Sequence, residues 1–220
     1  MILSDVKTRV RRTFGDESSV QVTDADIVRW VNDGQREVVM MNNELLEKIT
    51  TANTVQGQQD YTIPTDCYTV RSILYRSGAS SSYFKLLGQS LQEFDEYVDG
   101  WDGTIYGQSD PAIYTAFANT IKLFPIPATS LTSGLKLYYY RYPVDVVNDA
   151  DALDLPLPYH SAIVEYCLKQ AYELDEDWTS VQNKASEFNT SVTGQKTSEK
   201  DAKAETYQLI TVMRSDEDWF

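Results

Sequence analysis

The apolar residues of this chain change period twice, and no one kind of backbone accommodates both periods. Up to about residue 47 they recur every three or four positions, from 49 to 143 they alternate with polar residues, and beyond Pro156 and Pro158 the helical spacing returns. A period near 3.6 puts an apolar stripe on a helix, whereas a period of 2 puts an apolar face on a strand. The expected class is therefore α+β, with helical hairpins at both ends of the chain packed as a bundle and a β-rich insertion between them.

At the start, Ile2, Val6, Val10 and Phe14 share one face of a short helix, and Gly15 ends it. Thr23 and Asp26 form a capping box with Asp in the usual place of Glu. Behind them Ile27, Trp30, Val31, Gly34, Val38, Met41 and Leu45 keep helical spacing to about residue 47, with Arg29, Asp33, Arg36 and Glu37 opposite. The two helices are expected to pair antiparallel through the polar loop GDESSVQ.

The middle is rich in Thr, Tyr and Val and is punctuated by Pro and Gly. ITTANTVQ, QDYTI, YTVRSILYR and YFKLL read as strands, and a brief helix capped by Ser90 and Glu93 follows. PAIYTAF and TIKLFP flank Ala118-Asn119 as a hairpin. In LKLYYYRYP, Leu135, Leu137 and Tyr139 take one face and Lys136, Tyr138 and Tyr140 the other.

Pro158 suits the first turn of the next helix, whose inner face is Ile163, Tyr166, Cys167, Gln170, Ala171 and Leu174. Asp175, Glu176 and Asp177 favour a further helix start, followed by the stripe Trp178, Val181, Ala185, Phe188 and Val192. From Gly194 the chain turns polar, then carries the apolar island YQLITVM and an acidic, aromatic end. The expected layout is a helical hairpin over 1–48, a β-rich domain over 49–143, helices packing on the first hairpin over 144–193, and an extended or helical docking tail over 194–220. Such a tail reaches about 90 Å extended or about 40 Å as a helix, and a partner is expected to order it.

Composition narrows the chemistry. With 33 acidic residues against 19 basic ones, a net charge of −14 opposes tight binding to nucleic acid, which needs clustered Lys and Arg. A uniformly acidic wall instead repels DNA and leaves it free to slide. The 15 tyrosines and four tryptophans suit interfaces and favour oligomerisation. No apolar run approaches the ~18 residues of a membrane span. MILSDVKTRVRR places its basic residues after, not before, an apolar segment, so a signal peptide is not expected and the chain is expected to stay in a cytoplasm. Cys67 and Cys167 read as small buried residues.

His160, the single histidine, is open to reading as a general base, a metal ligand or part of a joint where a proline-marked loop becomes a helix. No nucleophile elbow, zinc-protease motif or Cys–His spacing accompanies it, which favours the joint. Glu93, Asp95, Glu96, Asp99 and Asp102 around Trp101 offer the paired carboxylates and aromatic platform of a glycosidase, or simply a solvated acidic surface. DADALD and DEDW lack the glycine and final Glu of a calcium loop, and Gly100, Gly103 and Gly107 are too loosely spaced to cradle phosphate. Neither a metal nor a cofactor is expected. Lys7, Arg9, Arg11 and Arg12 form an exposed helix face, or one that meets a phosphate or an acidic surface, including that of a neighbouring copy.

Four stretches, in order, resemble the head-to-tail adaptor (connector, or head-completion) proteins of tailed bacteriophages. TDADIVRWVNDGQREV resembles the opening helix of that family, with Asn32, Gln35, Arg36 and Glu37 at its centre. Tyr61, Ile63, Pro64 and Asp66 resemble its Tyr-x-Leu-Pro-x-Asp strand and turn, and IKLFPIPA with LKLYYYRYP resembles a strand pair ending at Pro143. Asp154, Leu155, Pro156, Tyr159, His160 and Tyr166, then Tyr172, Asp175 and Asp177, resemble the start of its later helix.

The resemblance implies a structural, non-enzymatic virion protein made in the host bacterial cytoplasm. It implies a ring, usually dodecameric, that sits at the head–tail junction between the portal protein and a tail or nozzle protein. DNA would pass through the channel without specific binding, and no membrane is involved. Pro156, Pro158, Tyr159 and His160 would then lock a structural joint. Related adaptors pack C-terminal segments along the portal, so Tyr207, Leu209, Ile210, Val212, Met213, Trp219 and Phe220 are the expected portal-docking residues. A different neck or tail component, such as a tail terminator, and a carbohydrate-active hydrolase stand as the alternatives.

Overall fold

In chain order the elements are α1 (Leu3–Phe14), α2 (Asp24–Met41), β1 (Glu47–Thr54), β2 (Asp60–Thr62), β3 (Cys67–Tyr75), β4 (Phe84–Lys85) and β5 (Leu87–Gly88). There follow α3 (Leu91–Tyr97), β6 (Gln108–Ser109), β7 (Ile113–Phe117), β8 (Thr120–Phe124), β9 (Ile126–Pro127) and β10 (Leu131–Arg141). A 3-10 turn (Leu157–Tyr159) leads into α4 (His160–Leu174), and α5 (Trp178–Ser215) completes the order. This computed structural model describes residues 1–97 and 107–215, with side-chain surroundings described as far as Asp201 and not for Tyr97. Asp99, Gly100, Trp101, Asp102 and Gly103 therefore lie outside the described residues. Two compact units divide the chain: Met1–Leu45 with Pro143–Phe220, and Leu46–Tyr142.

In the helical unit, α1 buries Leu3, Val6 and Val10, while Ile2 is 37% exposed, so the buried stripe begins one residue later than the spacing predicts. Gly15 ends α1 in the left-handed region (φ 90°), a conformation that costs a residue with a Cβ, and its N–H donates to Arg11 O at 2.8 Å. The following loop is organised by the Asp16 carboxylate, which accepts from the N–H groups of Val20 (3.0 Å), Gln21 (2.9 Å) and Val22 (2.9 Å). These donors hold its pKa below the usual carboxylate range. Thr23 then caps α2: its Oγ1 accepts from Asp26 N and Asp26 Oδ2 accepts from Thr23 N, both at 3.2 Å.

The helix α2 stops at Met41, not near 47, because Asn42 leaves helical geometry (φ −130°, ψ 77°). Leu46 then belongs to the β-rich unit, where its carbonyl accepts from Arg141 N at 2.9 Å. Contacts join α4 to α1, α2 and α5. Phe14 meets Tyr172 edge-on at 5.4 Å, Tyr166 meets Phe188 at 5.4 Å, and Lys184 pairs with Glu165 at 2.8 Å. Gly34 allows the close α2–α4 approach, since a Cβ there would sit 3.0 Å from the Tyr166 ring and push it aside. One uninterrupted helix, α5, runs through Gly194, so position 193/194 is not a boundary between elements.

In the β-rich unit, one sheet has the order β1-β10-β3-β4 and another β2-β8-β7-β5, with a short β6-β9 pair beside them. Tyr61, Ile73, Tyr75, Ile121, Leu135 and Leu137 come from both larger sheets into one core. The unit opens with β1 and closes with β10, which pair antiparallel from Glu47↔Tyr140 to Thr54↔Leu131. Its two ends are thus neighbours, which is what lets such a unit interrupt a helical one. The hairpin β7–β8 closes through Ala118 (φ 47°) and Asn119 (φ 61°), the two positive values that match the right-handed strand twist. Leu135, Leu137 and Tyr139 are buried as the alternation predicts, and Tyr140, on the opposite face of β10, is buried as well.

Asp16→Asn is expected to lower the thermal midpoint at neutral pH, because the loop N–H groups lose a charged acceptor. A carboxylate whose folded pKa is depressed stabilises above its unfolded pKa, near ~3.9, and that stabilisation disappears as pH falls through the folded value. The gap between wild type and variant should therefore narrow on acidification, as read from melting curves at a series of pH values.

Candidate functional site

Residues 143–156 have no strand ladder of their own beyond a single bridge between Ile2 and Ala152, so side chains must satisfy their backbone. Those side chains come from α2. Asn32 clamps Val146 from both sides, its Oδ1 accepting from Val146 N (2.8 Å) and its Nδ2 donating to Val146 O (3.0 Å). Fully buried Gln35 accepts from Asp154 N at 2.8 Å and donates to Val144 O at 3.4 Å. Arg36 reaches both carboxylate oxygens of Asp145 at 2.7 Å and also holds Asp33 at 3.0 Å. A turn one residue longer or shorter would move these three side chains off the segment, which is why Asn32, Gln35 and Arg36 occur at that spacing on one helix.

The acidic run DADALD is spent on the same segment. Asp151 accepts from Val147 N (2.8 Å) and Asn148 N (2.7 Å), Asp154 accepts from Val144 N (2.7 Å), and Asp149 binds Lys7 at 2.6 Å. Among the described residues no group of three or more His, Cys, Asp or Glu is arranged to hold a metal ion.

Pro156 precedes the 3-10 turn and Pro158 lies within it, which brings Tyr159 and His160 inward. His160 Nε2 lies 2.8 Å from Leu155 O. A carbonyl only accepts, so Nε2 carries a proton; Nδ1 faces the Met1 ammonium at 3.1 Å, which only donates, so Nδ1 accepts and the imidazole is neutral. Burial is the main reason its pKa falls below the usual value. Tyr159 is fully buried, and its hydroxyl accepts from Asn42 Nδ2 at 3.0 Å. Asn42 also donates to Glu199 at 3.3 Å, and Lys196 Nζ donates to Met41 O at 2.6 Å, so the end of α2 is tied to α5. Burial, aided by the Glu199 carboxylate, pushes the Tyr159 phenol up to about 12.

The β-rich unit has its own joint at the second group of resemblance residues. Tyr61 donates to Gln58 O at 3.0 Å. Asp66 accepts from Tyr139 Oη (3.0 Å) and Lys48 Nζ (2.7 Å), joining the turn after β2 to β10 and β1. A cleft of about 500 Å³ borders this turn, lined by Cys67, Tyr68, Gln89, Tyr114 and Asn119 among others. Burial raises the Cys67 thiol, which keeps it protonated and a poor nucleophile.

The acid cluster fares differently. Glu93 caps its own helix, accepting from Ser90 N (2.7 Å) and Ser90 Oγ (3.0 Å), and these bonds lower its pKa, the direction opposite to that of a general acid. In the basic set, Lys7 and Arg11 both bind Asp24, at 3.0 and 2.6 Å, whereas Arg9 and Arg12 stay on the exposed face. Trp219 and Phe220 lie outside the described residues. Tyr207, Leu209, Ile210, Val212 and Met213 lie on the backbone of α5, with their side chains outside the description.

Polar groups of α2 and of the acidic run thus hold the chain crossings of this unit in place. The chain belongs to the SU10 adaptor protein family, whose model matches residues 1–212. This is a family of phage head–tail adaptors, structural components of the virion and not an enzyme class, and it carries with it interaction with portal and tail proteins in general. A search of the curated proteins found no match. No helix among the described residues is long and apolar enough to cross a membrane.

Two outcomes test the joints. Asn32→Leu leaves the N–H and C=O of Val146 unpaired in a buried position and should cost about 3 kcal/mol, read as a lower urea midpoint with an unchanged slope. For His160, the folded pKa is the lower one, so the unfolded chain takes up the proton first as pH falls below about 6.5, and the folded state loses stability. His160→Gln keeps an N–H for Leu155 O but does not titrate. Its stability should vary less than that of wild type between pH 7 and pH 5, as measured by urea unfolding.

Proposed function

We propose that this chain forms a ring between the portal and the tail, extends the DNA channel, and offers the platform to which a tail or nozzle protein attaches. The reading rests on the family match, which runs through both units and into α5 as far as residue 212. The ring is a dodecamer in this reading, and an acidic inner wall lets DNA slide without specific contacts. In this reading residues 1–48 and 144–193 pack as a helical bundle that carries the joint at Pro156, Pro158, Tyr159 and His160. Residues 49–143 form the inserted β-rich domain, and assembly takes place in the host bacterial cytoplasm.

Residues 194–220 are the portal-docking tail. Tyr207, Leu209, Ile210, Val212 and Met213 follow one another closely on α5, and Trp219 and Phe220 come after it, so the apolar residues are concentrated in one stretch. Lys196 and Glu199 hold the root of this stretch to the end of α2, which gives the tail a fixed starting point.

A truncation after Asp201 keeps those root contacts and removes every proposed docking residue. The shortened chain should fold with the wild-type circular dichroism per residue of its remaining length and should fail to co-sediment with portal protein. Undiminished portal binding would overturn the docking role.

A further inference from the structure

The outer face of the sheet β1-β10-β3-β4 is cationic in a chain that is otherwise acidic. Residues 46–142 contain nine acidic and seven basic residues, a net of −2, so the helical unit holds −12 of the −14. Lys136 and Lys85 flank Leu74 in one row across β10, β3 and β4, on the side opposite the core residues Leu135, Leu137 and Ile73. Lys136 lies 5.7 Å from the ring of Tyr83 and 5.3 Å from that of Tyr138, with no carboxylate partner among the described residues. Lys85 is exposed and has none either. In the next row Tyr138 sits beside Ile49, which is 55% exposed. Lys48, Arg71 and Lys122 of the same unit are each matched to a carboxylate, so Lys85 and Lys136 stand out on this face as charge left unneutralised.

The helical unit carries a surface of the complementary kind at the turn between α4 and α5. Leu174 and Trp178 flank that turn and are each 60% exposed. Glu173, Asp175 and Glu176 surround them, all exposed. Apolar and acidic groups on a projecting turn match apolar, aromatic and cationic groups on a sheet face. We propose that the outer face of this sheet seats the α4–α5 turn of a second copy, with Lys85 and Lys136 facing Glu173 and Glu176 and Trp178 packing beside Tyr138 and Ile49. The two surfaces differ, so copies join head to tail, the arrangement that closes into a ring. The proposal rests on the ring reading above and names the contact that would build it.

The full-length chain should be weighed by light scattering at low and high salt, alone and with portal protein. Association should weaken as salt rises, because exposed charges are screened. Lys85→Glu with Lys136→Glu should raise the concentration for half-association by about tenfold or more, and Glu173→Lys with Glu176→Lys should do the same. Combining all four changes in one chain should restore association, which a merely misfolded variant would not do. If wild type assembles but the charge reversals leave assembly unchanged, or the fourfold variant is not restored, the contact is wrong while the ring reading stands. If the reversals at Lys85 and Lys136 abolish retention of a short DNA duplex and leave assembly intact, the face serves nucleic acid and the contact is likewise overturned. A wild type that stays monomeric alone and with portal overturns the ring reading itself, and the contact with it.

Discussion

A stretch of irregular backbone that crosses a helix must find hydrogen-bond partners, and here they are supplied by two amides on α2. Asn32 satisfies both polar groups of Val146, and Gln35 serves Asp154 N and Val144 O. With the segment held, Asp151 O and Asp149 O meet the first N–H groups of α1 at Leu3 (2.9 Å) and Ser4 (3.1 Å), donors that a helix start leaves without intrahelical partners. The same placement delivers Leu155 O to His160, so α4 begins where it does because α2 holds the preceding loop. Asn32, Gln35 and Arg36 of the opening helix are thus explained by geometry, each fitting one spacing on one face, and Gly34 between the two amides lets Tyr166 approach closely.

The inserted unit follows a different logic. Its first and last strands pair with each other, and Asp66 binds Lys48 on the one and Tyr139 on the other. Closing the unit at its base lets 97 residues interrupt the helical unit without separating residue 45 from residue 143 by more than a strand pair. Tyrosine recurs at these closures because a ring fills space while its hydroxyl still reaches a carbonyl or carboxylate, as Tyr61 and Tyr139 both do.

Much of this was legible in the chain. Period and punctuation placed the longer strands, the Ala118-Asn119 hairpin, and the caps at Thr23 and Ser90, but not the two-residue strands β6 and β9 or the division of YFKLL into β4 and β5. These are local features, set by the geometry of neighbouring residues. The end of α2 was misplaced because Leu45 keeps the helical spacing that the Asn42-Asn43 pair cuts short. The continuity of α5 was hidden by the Gly194 break in apolar pattern, since a single glycine lowers helix stability by only about 1 kcal/mol and neighbouring turns can absorb it.

What the sequence determined by itself was everything that depends on residues a few positions apart: element type, caps, turns, and the acidic balance that disfavours gripping DNA. What only the tertiary structure decided was which distant groups meet. Asn32 with Val146, Tyr159 with Asn42, and Lys85 and Lys136 sharing one sheet face all join positions far apart in the chain. No periodicity encodes those meetings, because they arise when strands and helices pack and bring buried polar groups to the partners they must have.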